Sequence, residues 1–349
     1  MIQPVKLSVV ILNWNGRALM EEFLPSVIRH TPAGIAEIAV ADNGSTDDSI
    51  EMLEEKFPAV KIIRLDRNYG FAEGYNRAIR RIKSTYTVLL NSDVEVTPDW
   101  IRAPLHVLES DASIAAVQPK IRAQRNRKYF EYAGAAGGFI DIYGYPYCRG
   151  RILSAVEEDR GQYDTPAEIL WASGACLFIR TETYLKEGGL DAVFFAHQEE
   201  IDLCWRLRSR GYRIVCTPSS VVYHVGGATL STESPQKTFL NFRNNLLMLY
   251  KNLPEKETGR VFRIRFWLDC MAAVRFFLAG HPGNASAVFR ARRDFKRLKN
   301  EYAEIRAEYR KKATHPLPGE IRRQSLLYTF YIRGKKKFSQ LQVESEMDF

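Results

Sequence analysis

The sequence predicts an α/β protein built on a mostly parallel sheet and followed by a basic helical extension. Three observations carry this reading. Over the first ~120 residues short apolar runs alternate with stretches of helical spacing, the pattern of strand–helix repeats in a parallel sheet. Each apolar run ends in a polar turn: Asn13-Trp14-Asn15-Gly16, Asp42-Asn43-Gly44-Ser45, Asn68-Tyr69-Gly70 and Asn91-Ser92-Asp93. The charge also divides sharply. Residues 251–349 hold 22 Lys and Arg against 11 Asp and Glu, a balance of +11, whereas residues 1–250 hold 28 against 30, a balance of −2.

The elements follow in order. LSVVIL (7–12) reads as a buried strand, and a helix follows from about Arg17, which Pro25 is expected to bend or break. EIAVAD (37–42) is a second strand leading into the helix TDDSIEMLEEKF, and VKIIRL a third. FAEGYNRAIRRI has helical spacing, TVLLN (87–91) is a fourth strand, and Pro98 is expected to start the next helix, where its missing N–H costs nothing. Regularity falls away between residues 119 and 165, where Gly134, Gly137, Gly138, Gly144 and Gly150 cluster with Tyr132, Tyr143, Tyr145 and Tyr147. An irregular stretch of that length inside a compact domain is usually either functional or wrongly assigned. ILWASGACLFIR (169–180) is a strand candidate, a helix is expected near 199–210, and RIVCT (213–217) and VVYHVGG (221–227) read as two short strands. Residues 236–252 and 257–312 read as helices, the second broken at Gly280-His281-Pro282-Gly283. The expected division is a globular unit over 1–252 and a helical extension over 253–349.

Composition excludes several classes. With 349 residues, 46% hydrophobic and 26% charged, the chain is neither disordered nor, at 22 Gly and 15 Pro, collagen-like. Its five Cys (148, 176, 204, 216 and 270) form no CxxC pair, which argues against a zinc site or a disulfide framework and suits a reducing compartment. No run reaches ~18 uninterrupted apolar residues, so no transmembrane helix is expected. The first apolar run is too short for a signal peptide and reads as a strand. A neutral body with a basic tail points away from nucleic acid and towards a surface on which the tail docks; the alternative is that the same charges solvate exposed helices.

Ligands of a parallel α/β sheet bind beyond the carboxyl ends of its strands, so Asn13, Asp42, Asn68 and Asn91-Ser92-Asp93 are expected to share one edge. Singly, each is a favoured turn residue; four in register suggest a site. None is followed by GxGxxG or GxxxxGK[ST], which excludes a dinucleotide fingerprint and a P-loop. Glu199-Glu200-Ile201-Asp202 opens a helix, where acidic residues also serve simply to complement the helix dipole.

The ordered strings SVVILNWNG, VADNGSTDDS, RNYGFAEGYNRAI, LLNSDVEV, SGACLFIR, GGLDAVFFAHQEEIDLCWRLRSRGYRI and YHVGGAT resemble the family 2 glycosyltransferases, and within them the bacterial rhamnosyltransferase branch. The resemblance spans most of the first 250 residues. It implies a GT-A-type, nucleotide-sugar-binding fold with a mostly parallel mixed sheet, a dTDP- or UDP-sugar donor, Mg²⁺ or Mn²⁺, and inversion at the anomeric carbon. By the same resemblance Asp42 accepts the N–H of the nucleotide base. Asn91-Ser92-Asp93 falls at the metal motif, with Asp93 as metal ligand and Asn91 in place of the usual first Asp. His224 reaches the metal or diphosphate, although alone it reads equally as a strand-end core histidine. Glu200 stands where the family has its catalytic base, as Glu rather than Asp. One methylene moves a carboxylate by about an ångström, and catalysis is sensitive on that scale. Asn13, Asn68, Gly174, Glu199 and Asp202 are expected around the donor, with Trp171 and Ser173 lining the sugar pocket. The Gly/Tyr stretch 132–150 resembles the same branch and is read either as a sugar-contacting loop or as a packed cluster.

In the extension, FRIRFWLDCMAAVRFFLAG (262–280) carries Arg263, Arg265, Asp269 and Arg275 on several sides, so it is not a clean amphipathic helix. It is expected to pack on the body, lie at a bilayer, or both. RARRDFKRLKNEYAEIRAEYRKK (290–312), Arg322-Arg323 and Lys335-Lys336-Lys337 supply basic charge worth about 1 kcal/mol per residue near anionic lipid. The reading is a cytoplasmic, metal-dependent, inverting glycosyltransferase, peripheral to the inner face of the cell membrane. It would move L-rhamnose from dTDP-rhamnose to a glycan or polyprenyl-linked saccharide, bind an anionic membrane surface but no nucleic acid, and self-associate, if at all, through its C-terminal helices. Two alternatives stand beside it. A nucleotidyltransferase making the nucleotide sugar would need a Gly-rich basic loop after the first strand, and NWNGRALM supplies one Gly. A non-catalytic binding protein would use the acidic cluster only as a helix cap.

Overall fold

The computed structural model describes residues 5–226 and 234–341. The chain runs through Leu7–Asn13 (β1), Arg17–His30 (α1), Ala36–Asp42 (β2), Ser49–Lys56 (α2), Lys61–Arg64 (β3), Gly70–Ile79 (α3), Tyr86–Asn91 (β4), Val94–Val96 (β5), Arg102–Ser110 (α4) and Ile114–Ala123 (β6). Short strands follow at Gly138–Asp141 (β7), Pro146–Cys148 (β8), Arg151–Ile152 (β9), Ala155–Val156 (β10) and Ala167–Glu168 (β11), then Cys176–Arg180 (β12), Thr181–Lys186 (α5), Glu199–Ser209 (α6) and Arg213–His224 (β13). The remainder is Pro235–Asn252 (α7), Glu255–Leu278 (α8), Pro282–Glu301 (α9), Ala303–Lys312 (α10), Ile321–Arg322 (β14) and Leu326–Tyr331 (α11).

The main sheet has the order β11-β13-β6-β12-β4-β1-β2-β3, with β5 on the end of β13. Strands β3, β2, β1 and β4 are parallel, as expected; beyond them β12 lies antiparallel to both β4 and β6, so the sheet is mixed. Pleating divides the core. Val9 and Ile11 pack with Met20, Leu24 and Val27 of α1 on one face, while Val10 packs with Tyr75 and Ile79 of α3 on the other. Because both faces are covered, the strands read as continuous apolar runs. Register does the functional work: Asn13 lies opposite Asp42, Asp42 opposite Arg64, and Leu12 opposite Asn91, so the polar turns share one edge.

Several expectations change. Helix α1 runs unbroken through Pro25; its face of Met20, Phe23, Leu24 and Val27 is buried, and the Ser26 hydroxyl donates to the Phe23 carbonyl in the same turn. Pro98 lies in the turn ahead of α4 and does not start it. The stretch 119–165 is not irregular: β6 runs to Ala123, and β7–β10 form a second sheet of order β10-β9-β8-β7-β14. Only Cys176–Arg180 of the 169–180 segment is a strand, because Trp171 instead bridges to Gly138, with its ring where a side chain on Gly138 would stand. The two short strands at 213–217 and 221–227 are one bulged strand ending at His224, and Gly227, with the following Ala-Thr, lies outside the described residues.

The helices after residue 253 share their core with the sheet. Val261, Phe295, Leu298, Tyr302 and Phe330 pack in one cluster with Tyr75, Trp171 and Trp205. Strand β14 pairs parallel with β7, and the buried Asp141 carboxylate accepts the N–H groups of Tyr143, Tyr145 and Leu326, tying the chain's end to the small sheet. All five cysteines are free, and among the described residues no helix is long and apolar enough to cross a membrane.

A buried cation joins these layers. Lys251 Nζ, without exposed surface, donates to Asp191 Oδ2 (2.6 Å) and Asp202 Oδ2 (2.7 Å). Asp202 also takes Arg206 Nε (3.1 Å) and Asn252 Nδ2 (2.8 Å), and Asp191 takes the Tyr302 hydroxyl (2.9 Å). Burial works against the charge on Lys251, but Asp202 and Asp191 outweigh it and raise its pKa. Lys251→Met leaves two buried carboxylates short of their cation, so we expect it to cost about 3–5 kcal/mol, read as a lower urea midpoint. An unchanged midpoint would show that the cluster does not hold the fold.

Candidate functional site

At the carboxyl edge Asn13 Nδ2 donates to Asp42 Oδ1 (3.1 Å) and Ser45 Oγ (3.2 Å), and the Ser45 amide donates to Asp42 Oδ2 (3.1 Å). Asp42 is therefore oriented from both sides, and Asn13 Oδ1 is left buried without a partner. Asn68 behaves differently. Its side-chain oxygen accepts from Asn43 Nδ2 (3.1 Å) and the Gly70 amide (2.8 Å), which commits it to shaping the turn into α3.

One strand over, β5 pairs antiparallel with the end of β13, setting Val94 opposite His224. This brings His224 Nε2 to 3.1 Å from Asp93 Oδ1 and 3.4 Å from Asn91 Nδ2. On the ring's other side Nδ1 lies 3.4 Å from Glu131 Oε1, and Glu131 Oε2 accepts the Ala133 amide (2.6 Å). Burial opposes a charged imidazole, yet Glu131 and Asp93 outweigh it and raise His224 to about 10. Burial likewise works to raise the Asp93 carboxyl, and His224 overrides it, holding the carboxyl below its usual value. Among the described residues no three His, Cys, Asp or Glu side chains converge as a metal cage. Mg²⁺ and Mn²⁺ do not need one: they are held by one or two protein ligands when phosphate oxygens supply the rest. Asp93 fits that role directly; His224, charged between Asp93 and Glu131, would join it only by giving up the Nε2 proton, which a bound cation would displace.

The third part is the segment entering α6. Phe195, His197 and Gln198 all have positive φ (63°, 71° and 75°), a costly conformation for residues with side chains, which persists only where surroundings enforce it. Here the enforcement is visible. Asn244 Nδ2 stands within 2.9 Å of the carbonyls of Phe194, Ala196 and His197. Arg243 Nη2 donates to the Val193 carbonyl (2.6 Å), and the first amides of α3, Phe71 and Ala72, donate to that of Phe195 (2.7 and 3.2 Å). Gly70, with φ +74°, leaves room for the Phe195 ring, 2.5 Å from where a Cβ would sit. The segment delivers Glu199 and Glu200 to the first turn of α6, each with Oε2 buried and unpartnered. Although Glu200 keeps some exposed surface, burial of its carboxyl end pushes it up to about 7. Glu199 is pushed well up by burial and then by Glu200.

The loop 173–175 joins these parts. The Asn91 amide donates to the Ala175 carbonyl (3.1 Å), and Gly174 faces the Phe71 ring, 3.2 Å from where a Cβ would stand. Three expected site residues are corrected. Asp202 is fully buried with both oxygens taken by Lys251, Arg206 and Asn252, so its side chain serves to anchor α6. Trp171 is a core residue whose Nε1 donates to the Phe139 carbonyl, and Ser173 is buried with its amide on Gln118 Oε1. Of the tyrosines in 132–147 only Tyr132 is exposed, under the Arg151 guanidinium. A cavity of about 600 Å³ lined by Asn252, Tyr309 and Arg310 contains none of Asp42, Asp93, Glu200 or His224, so cavity size does not mark the edge.

Sequence reasoning missed Glu131, Arg243, Asn244 and Lys251. The helix FLNFRNNLLMLYKN carried a signal: Asn244 and Lys251, seven apart and therefore on one face, interrupt an apolar run. Glu131 carried none.

Comparison with known proteins places this edge in a class. GalNAc-T7, solved with UDP, GalNAc and Mn²⁺, superposes with a TM-score of 0.58 at 18% identity, covering 91% of this chain and 59% of its own. The fold is that of the GT-A glycosyltransferases. Residues 8–180 match the family model for glycosyl transferase family 2. The N-acetylglucosaminyl-diphospho-decaprenol L-rhamnosyltransferase of Mycobacterium tuberculosis is 27% identical over 235 residues, 62% of this chain and 75% of its own length. The low-salt glycan biosynthesis hexosyltransferase Agl10 of Haloferax volcanii is 23% identical over 246 residues, 69% and 74% respectively. The chain belongs to the family 2 glycosyltransferases, and glycosyl transfer is its activity. The nucleotidyltransferase and non-catalytic readings fall away.

Asn244→Ala strips the Ala196 and His197 carbonyls of their side-chain donor, at a cost of about 1–3 kcal/mol per unsatisfied group, while the Phe194 carbonyl keeps Arg243 and the Ala196 amide. We expect hydrogen exchange to accelerate over residues 193–200 while β1 and β4 keep their protection. Unchanged exchange there would mean that the loop holds its shape without Asn244.

Proposed function

We propose that the enzyme transfers a sugar, L-rhamnose from dTDP-rhamnose as first choice, to a saccharide or polyprenyl-linked saccharide, with inversion and with Glu200 as general base. The observation that carries this is the Glu200 carboxyl: its end buried, Oε2 unpartnered, raised to about 7, and presented by a loop whose carbonyls are taken by Asn244, Arg243 and the amides at the start of α3. A general base works best with a pKa near the operating pH. Asp42, fixed by Asn13 and Ser45, accepts an N–H from the nucleotide base. Glu200 takes the proton of the acceptor hydroxyl as its oxygen attacks the anomeric carbon, and the nucleoside diphosphate leaves. A divalent ion held by Asp93 and His224 would offset the charge developing on that diphosphate. Glu131 fixes the His224 ring. The rhamnosyl and polyprenyl parts are supported by the activity for which the mycobacterial relative is named. The +11 balance of residues 251–349 supports a peripheral position on the cytoplasmic face of the membrane.

The tests separate binding from chemistry. Because the ionised carboxylate is the active form and its pKa is raised, kcat/KM is expected to climb with pH through a midpoint near 7 and level off above it. Glu200→Gln should abolish that limb and lower turnover by about 10²-fold or more with donor affinity kept. Near-normal turnover would return the role to Glu199. Asp93→Ala is expected to lose Mn²⁺-dependent binding of dTDP or UDP in calorimetry while keeping its melting transition; unaltered Mn²⁺-dependent affinity would take Asp93 out of the site.

A further inference from the structure

Helix α8 is built inside out. Its buried stripe is Val261, Arg265, Asp269 and Ala273, and its two charged members are almost wholly enclosed, Arg265 at 2% exposure and Asp269 at 0%. The opposite stripe carries Trp267, Met271, Val274 and Leu278, at 68%, 59%, 57% and 80% exposure. A surface helix ordinarily does the reverse. Rotation cannot correct it, because it would break the pairs the inward charges make. Arg265 donates to Asp269 (3.0 Å), to Asn245 Oδ1 and to the Tyr143 carbonyl (2.6 Å each), and Asp269 also pairs with Arg292. The apolar stripe is therefore locked outward.

The apolar surface is continuous with its neighbour. Arg275 donates to the Tyr331 hydroxyl (3.1 Å), which brings exposed Tyr331 and Ile332 of the α11 end beside α8. An open groove of about 600 Å³ runs along Trp267, Cys270, Met271, Val274 and Leu278. Basic residues flank it: exposed Lys256, Arg260 and Arg263 continue the same stripe towards the helix start, and exposed Lys336 and Lys337 follow α11. Two copies placed face to face would bring these cations together, whereas an anionic bilayer supplies the opposite charge and an apolar layer beneath it.

We propose that this face docks on an anionic lipid bilayer, with α8 lying in the plane of the interface, its apolar stripe at the acyl boundary and its basic flanks on the headgroup phosphates. The inference deepens the peripheral placement proposed above and rests on it. It also ties that placement to the reaction: Asn245, which receives Arg265, donates to Gln198 Oε1 (3.2 Å), the residue immediately before Glu199 and Glu200. Membrane contact and the base-bearing turn are thus two side chains apart.

The test uses the full chain with phosphatidylcholine vesicles, with and without phosphatidylglycerol. The protein is expected to sediment with the anionic vesicles and to show a blue-shifted tryptophan emission that Trp267→Phe removes. Met271→Ser combined with Leu278→Ser should weaken partitioning by about tenfold or more, with nucleotide-sugar binding and transfer to a soluble saccharide unchanged. Vesicle binding as strong in the double variant as in the wild type overturns the proposal. So does a dimer in solution that the double variant splits, with no vesicle binding by either protein. Loss of transfer to a polyprenyl-linked acceptor with vesicle binding intact would sink the acceptor reading and leave this surface standing.

Discussion

The lysine at the centre of the molecule sets the terms for the rest. Lys251, itself without exposed surface, meets Asp191 and Asp202 where a charge is tolerable only if its partners are close and fully committed. That condition makes geometry unforgiving. The three side chains come from the end of α7, the turn after α5 and the first turn of α6, with Tyr302 at the end of α9 closing the set. None of these elements can slide without exposing an uncompensated charge. Glu199 and Glu200, in the same first turn of α6 as Asp202, inherit the fixed position.

The same logic explains why a strained loop survives at the start of α6. Three residues in left-handed conformations would relax if left alone, but α3 grips the Phe195 carbonyl from one side and Asn244 gathers three more from the other. Strain and its restraint sit together. The consequence is that the Glu200 carboxyl stands in the first turn of α6 with Oε2 buried and without a hydrogen-bond partner.

Much of this was legible in the sequence, and the failures have physical causes. The alternation of strands and helices, and the alignment of Asn13, Asp42 and Asn91 on one edge, follow from periodicity and from the parallel register of β1, β2 and β4. The small sheet was not legible. Strands of two to four residues with glycine among them carry no period, and the fifth strand lies some 180 residues further on. Asp202 was read as a ligand residue because an acidic helix start looks the same whether its third carboxylate faces solvent or a buried lysine. Pro25 misled for a related reason: a buried face can hold a helix together across a lost hydrogen bond. The charges of α8, scattered on a helical wheel, gave no clean stripe because the wheel could not say that two of them pointed inwards.

The pairing of β14 with β7 has a consequence for how the chain is made. Residues 138–141 leave the ribosome long before residues 321–322, and at about 5–20 residues per second the gap is on the order of ten to forty seconds. Until it closes, the outer edge of β7 presents unpaired backbone groups and Asp141 waits for the Leu326 amide. The nucleotide-facing half of the protein can be complete while the small sheet is still open. The pairing of residues 321–322 is therefore the clasp that seals the small sheet, and a chain interrupted before it would keep β7 as an adhesive edge.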